Sequence, residues 1–152
     1  MVKNFLSDKN TEMKLRLNYS VPWGKMISRN LIIRHIIKFD EVLSANDTYF
    51  SLLSGFYATN IDADKDIVYY VTVTKGSLTR RRDIDVILSR YQVTLRYNKF
   101  VKEHELSLFQ QSVMIYFYQA KSFGLKTLFF MLKLAIRYKQ NIFIGLHMFS
   151  VF

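Results

Sequence analysis

The stretch Ile67-Val68-Tyr69-Tyr70-Val71-Thr72-Val73-Thr74 decides the fold class expected of this chain. Its side chains are β-branched or aromatic throughout, the types that suit a pleated surface, so it predicts a strand buried on both faces or nearly so, ending at Gly76. Upstream, Met13-Lys14-Leu15-Arg16-Leu17-Asn18-Tyr19-Ser20-Val21 alternates apolar and polar side chains and predicts a half-buried strand or extended segment that stops at Pro22. Between the two, Ser28 can cap a helix through Asn30–Ile37. From Asp47, Tyr49, Leu52, Leu53 and Phe56 recur at i, i+3, i+4 and i+7, which predicts a second helix with one buried stripe, ending near Asn60.

After Thr79 the pattern is helical only. Ile84, Ile87, Leu88, Tyr91 and Leu95 make the stripe of a long helix beginning near Arg82, followed by helices over 107–122 and 125–140 with Gly124 between them. The expected class is therefore α/β: a few strands with helices over 1–80, then an α-helical extension over 81–152. The apolar end of the chain, 142–152, is about half the ~20 residues that a spanning helix requires.

Composition narrows the class of protein. The chain has 152 residues, half of them hydrophobic and 16% aromatic, enough for a real core and too apolar for disorder. It has no cysteine, hence no disulfide framework and no thiolate metal site. His35, His104 and His147 are too scattered to form a metal cluster by spacing. The N-terminus lacks the apolar core of a secretory signal, so a cytoplasmic location is expected. The net charge is +10, and Glu105 is the last acidic residue although Lys121, Lys126, Lys133, Arg137 and Lys139 follow it. Such a block favours phosphate-bearing partners, whether anionic lipid or nucleic acid.

Three short segments carry candidate chemistry. Asn46-Asp47 stands at the mouth of a helix, where an acidic residue is stabilised by the positive end of the macrodipole whatever its function. It is also where a single carboxylate could act as a general base. Pro22-Trp23-Gly24-Lys25 is a turn in which Trp23 is either a packing residue or an apolar platform for a sugar ring, and Lys25 is either solvated or part of a site. In Lys75-Gly76-Ser77-Leu78-Thr79 a Gly-containing turn exposes backbone N–H groups. Lys75, with Arg80, Arg81 and Arg82, would there suit a diphosphate; the plainer reading is a solvated basic turn, and Lys75 and Ser77 are the better candidates.

In order and spacing these segments resemble the C-terminal half of a bacterial family 2 glycosyltransferase of the cell-envelope polysaccharide type. The resemblance runs from about Trp23 to Ile144 and includes Arg90-Tyr91-Gln92-Val93-Thr94-Leu95-Arg96-Tyr97-Asn98-Lys99-Phe100. It implies the back part of a GT-A type domain, with sugar transfer from a nucleotide-sugar donor to a glycan or lipid-linked acceptor and inversion at the anomeric carbon. Asn46-Asp47 is similar to the family's Glu-Asp pair, which makes Asp47 the implied base, while Asn46 departs from the usual Glu.

The resemblance also implies that the donor-binding half is missing and that the chain alone is inactive. No cofactor is expected in this chain; a divalent cation, Mn²⁺ or Mg²⁺, would come with that half. Asp62-Ala63-Asp64 and Asp83-Ile84-Asp85 imitate the family's metal-binding Asp-X-Asp, but neither follows an apolar strand, and both are read as decoys.

Two rival readings remain. One is a non-catalytic module that binds a partner or lies peripherally on an anionic membrane, with an exposed sheet edge as a route to oligomers. The other is a basic nucleic-acid-binding domain, against which stands the absence of any nucleic-acid signature.

Overall fold

The computed structural model describes residues 1–72, 76–77 and 80–144. Lys75, Leu78 and Thr79 of the basic loop, Val73 and Thr74, and residues 145–152 with His147 lie outside the described residues. The chain divides into two units: unit 1 comprises Met1–Glu41 and Asn46–Thr74, and unit 2 comprises Val42–Ala45 and Lys75–Phe152.

Unit 1 holds α1 (Val2–Ser7), α2 (Glu12–Asn18), α3 (Arg29–Arg34) and α4 (Thr48–Tyr57). Unit 2 holds α5 (Ile84–Glu103), α6 (Met114–Ala120) and α7 (Leu125–Arg137). Short 3-10 turns occupy Lys9–Thr11, Ser107–Phe109 and Lys121–Phe123. No strand occurs among the described residues. The α/β expectation, and with it the GT-A fold, is overturned.

Both expected strands fail for physical reasons visible in the sequence's surroundings. Ile67 to Val71 are 56–78% exposed and unpaired with any strand among the described residues. β-propensity measures fitness for a pleated, half-buried surface, and without a neighbouring ladder it does not make a strand. The sheet edge expected as a route to oligomers has no counterpart among the described residues either. Most of the stretch 13–21 lies in α2, where Arg16 Nε donates to Glu12 Oε1 one turn back at 2.7 Å.

Arg16 then reaches the end of α4. Its guanidinium donates to the carbonyls of Gly55 (3.1 Å), Ala58 and Thr59 (3.3 Å). These groups have no intrahelical partner, and a cation at the negative end of the macrodipole is favourable there. The approach is close: a Cβ added to Gly55 would stand 2.0 Å from the Arg16 carbonyl oxygen. Ser51 and Ser54, with Leu52, are the buried side chains of α4, so its inner face is mostly small rather than the Tyr49, Leu52, Leu53, Phe56 stripe expected.

Unit 2 is built around α5. Ile87, Tyr91 and Leu95 join Val113, Ala120 and Met131 in a fully buried cluster. The Tyr91 hydroxyl donates to the Met131 carbonyl at 2.8 Å, and burial pushes the phenol up to about 12, so it stays a donor. Asn98, fully buried, accepts from the Gln111 N–H (2.7 Å) and donates to the Gln111 carbonyl (2.8 Å) and to Gln140 Oε1 (3.0 Å). Those bonds hold the chain before α6 out of the helix, which is why the helix expected over 107–122 is broken into a 3-10 turn and α6. Val42–Ala45 docks in this unit through Ser44. Its N–H and carbonyl bond the Ser89 hydroxyl at 3.0 and 2.9 Å, and its own hydroxyl accepts from Arg90 Nε.

Three helices are followed by a left-handed residue that is not glycine. After α3, α5 and α7 the chain turns at Ile36, Glu105 and Lys139 with φ of 50°, 61° and 50°. In each case the next two N–H groups bond back to the last turn, as Ile36 to Ile33 O and Ile37 to Ile32 O. Ile36 is the costly case, being β-branched in the left-handed region and 73% exposed.

Two substitutions test this description by urea denaturation. Gly55→Ala should lower stability by about 1–3 kcal/mol, because α2 backbone rather than a flexible side chain blocks the new methyl group. Ile36→Gly should raise it by about 1 kcal/mol by relieving the left-handed strain at little packing cost.

Candidate functional site

The N-terminus of α4 is the starting point. Asp47 occupies the N-cap with φ −89° and ψ −18°, a helical rather than extended conformation, and its side chain makes no capping hydrogen bond. Only its carbonyl joins the helix, accepting from the Ser51 N–H at 2.9 Å. The half-buried carboxylate is therefore not held by the helix end, and its charge is felt by Lys25. Asn46 is exposed, and its carbonyl accepts from the Asp40 N–H at 3.0 Å, which ties down the loop before the helix.

Tyr19 organises the other side of this site, a role with no signal in the sequence. Its carbonyl accepts from Lys25 Nζ, which also stands 4.9 Å from its ring centroid. Gly24 turns at φ +70°, and a Cβ there would lie 3.5 Å from the Tyr19 hydroxyl. Trp23 is 39% exposed and stacks on Tyr69 with ring centroids 5.9 Å apart and planes at 21°. Unit 1 thus brings Lys25 to Asp47, and leaves Trp23 beside Lys25 in sequence with one ring edge or face open to solvent. Tyr69, expected in a buried strand, is instead the exposed partner of that stack.

Burial pushes Lys25 down to about 8, and the charge of Asp47 opposes that shift. The arrangement offers an aromatic surface for an apolar ring face, a carboxylate able to take a proton, and an amine that changes charge just above neutrality.

The remaining candidates lie in unit 2. Ser77 accepts from the Arg80 N–H through its carbonyl at 2.9 Å. Arg81 Nε donates to Asp83 Oδ2 at 2.7 Å, while Asp83 Oδ1 accepts from the Val86 N–H and caps α5. The Arg81 hydrogen bond, foremost, holds the Asp83 carboxyl below its usual range. In unit 1, Asp62 Oδ1 accepts from the Ala63 N–H and Asp64 Oδ1 from the Asp66 N–H, so this pair also serves local turns. No group of three potential metal ligands occurs among the described residues.

Unit 2 also has a hollow of about 320 Å³ in which Gln92, Arg96, Arg137 and Tyr138 meet Val42, Val93 and Leu134. No protein-family model matches this chain, and no curated protein or solved structure matches it significantly. No described helix is long and apolar enough to cross a membrane.

The depressed pKa of Lys25 has a definite sign. Between about pH 8 and 10.5 the unfolded chain carries more of this proton than the folded one, so stability rises with pH across that window. In Lys25→Met the rise in urea midpoint from pH 7.5 to pH 10 should be smaller than in the parent. Timed acetylation at pH 8, followed by peptide mass spectrometry, should find Lys25 reacting about tenfold faster than exposed Lys126, because far more of it is neutral.

Proposed function

We propose that the chain supplies the acceptor side of an inverting sugar transfer, from a nucleotide-sugar donor to a glycan or lipid-linked acceptor. The supporting observation is the Asp47 carboxylate: it stands at a helix N-terminus, makes no cap, and has Lys25 as its electrostatic neighbour. Asp47 takes the proton from the acceptor hydroxyl while that oxygen bonds to the anomeric carbon, and the bond from that carbon to the diphosphate breaks. The electron pair leaves with the nucleoside diphosphate. Trp23 offers its partly exposed ring to an acceptor sugar, and the Lys25 charge acts on the carboxylate.

The reading rests on these side chains and on the resemblance in their order along the chain. It draws nothing from the fold, since no sheet is present among the described residues. The resemblance assigns the donor diphosphate and its cation to the donor-binding half. The test accordingly provides that half, from a family 2 glycosyltransferase, fused ahead of this chain.

In that fusion Asp47→Asn should reduce turnover by about 10²–10⁴, the usual worth of a general base, with donor binding and helix content unchanged. Thr48→Ala is the control and should stay near parental activity. Turnover that survives Asp47→Asn removes Asp47 from the mechanism. A non-catalytic role is then the better account of the chain.

A further inference from the structure

The solvent side of α7 is apolar where a helix on a protein surface is ordinarily polar. Successive residues of a helix turn by about 100°, which puts Leu125, Phe129, Leu132 and Ile136 on one side. Their exposures are 83%, 70%, 37% and 69%. Met131 and Ala135, fully buried, anchor the helix to unit 2 from a different side, together with Leu128. The exposed row is thus not the core-facing stripe of the helix. It is a second apolar face that the described residues of unit 2 leave uncovered.

A third side of the same helix is cationic. Lys126, Lys133 and Arg137 lie about a quarter-turn from the exposed apolar row and roughly opposite the buried one. The elements packed against α7 are α6, the 3-10 turn Lys121–Phe123 and, through Tyr91 at Met131, α5. The first two contain no acidic residue, and none follows Glu105 in the sequence; those of α5, Asp85 and Glu103, lie in its first and last turns, with Glu103 paired to Lys99. Arg137 also lines the hollow that contains Arg96, which extends the positive surface towards α5.

We infer that α7 docks unit 2 onto an anionic bilayer surface, lying in the interface with Leu125, Phe129, Leu132 and Ile136 among the acyl chains. Lys126, Lys133 and Arg137 then sit at headgroup level, where long basic side chains reach lipid phosphates while their stems stay apolar. Charge and shape both select this occupant. A nucleic acid would satisfy the cations but leave the aliphatic row in water. A protein partner would need acidic groups arranged along that one edge, whereas an anionic membrane supplies negative charge everywhere. The helix has 13 residues, about 20 Å, too short for a ~30 Å hydrocarbon core but suitable for lying along its surface. The inference stands on unit 2 alone and does not depend on the sugar-transfer reading.

The test is vesicle flotation with the full chain. Vesicles of phosphatidylcholine containing about one-third phosphatidylglycerol should bind it at least about tenfold more tightly than phosphatidylcholine alone at low salt, and lose it as salt rises. Lys126→Gln with Lys133→Gln should weaken binding about 25-fold, about fivefold per charge. Leu125→Gln with Phe129→Gln should abolish it while helix content by circular dichroism is unchanged, since both side chains are already exposed. Failure to float with anionic vesicles at low salt, or equal binding to neutral ones, overturns the proposal. So does a chain that ignores vesicles but binds an oligonucleotide, or that forms a dimer dissolved by the Leu125/Phe129 variant. Full retention of binding in the lysine variant would overturn it as well.

Discussion

Unit 1 depends on the approach of α2 to α4 at Gly55. Helices joined by ordinary side chains stay 8–10 Å apart, and the carbonyl of Arg16 could not come so near any residue with a Cβ. That proximity also brings the Arg16 guanidinium to the carbonyls that end α4. A buried cation with three acceptors, and with Glu12 as counter-ion, is satisfied in both hydrogen bonding and charge. Because the C-terminus of α4 is held this way, its N-terminus and Asp47 are placed by a rigid element rather than by the loop before it.

Unit 2 uses a different device. Asn98 is a polar residue in the middle of a buried helix face, a position that costs several kcal/mol unless its amide is bonded. Its three bonds instead determine where the segment before α6 must run and where Gln140 sits after α7. α7 is consequently fixed in rotation about its axis, with Met131 and Ala135 inward. The exposure of Leu125, Phe129 and Ile136 is the result of that rotation, not of a helix that failed to pack.

The two proposals draw on separate chemistry. A half-buried lysine beside a carboxylate, next to an exposed indole, is suited to handling a hydroxylic substrate at the surface of unit 1. The apolar and basic sides of α7 have no catalytic content and are suited to holding the chain at a charged interface. An acceptor carried on a lipid would give both features the same address. Each nevertheless stands or falls by its own residues.

Periodicity alone located α4, α5 and α7, because apolar recurrence at helical spacing is a local property, and Gly124 marks the start of α7. The charge asymmetry after Glu105 and the helix-start position of Asp47 were equally legible. The strands were not, since a β-rich segment such as 67–72 becomes a strand only when another segment meets its N–H and C=O groups. The ends of α3, α5 and α7 carry no glycine and so no stop signal; Ile36, Glu105 and Lys139 there take left-handed backbone as the chain bonds back to the last helical turn. The contact of Lys25 with Tyr19 within reach of the Asp47 charge, and the side of α7 left in solvent, were decided by tertiary contacts. Sequence pattern specifies which faces a segment has, but only the neighbours it meets determine which of them is buried.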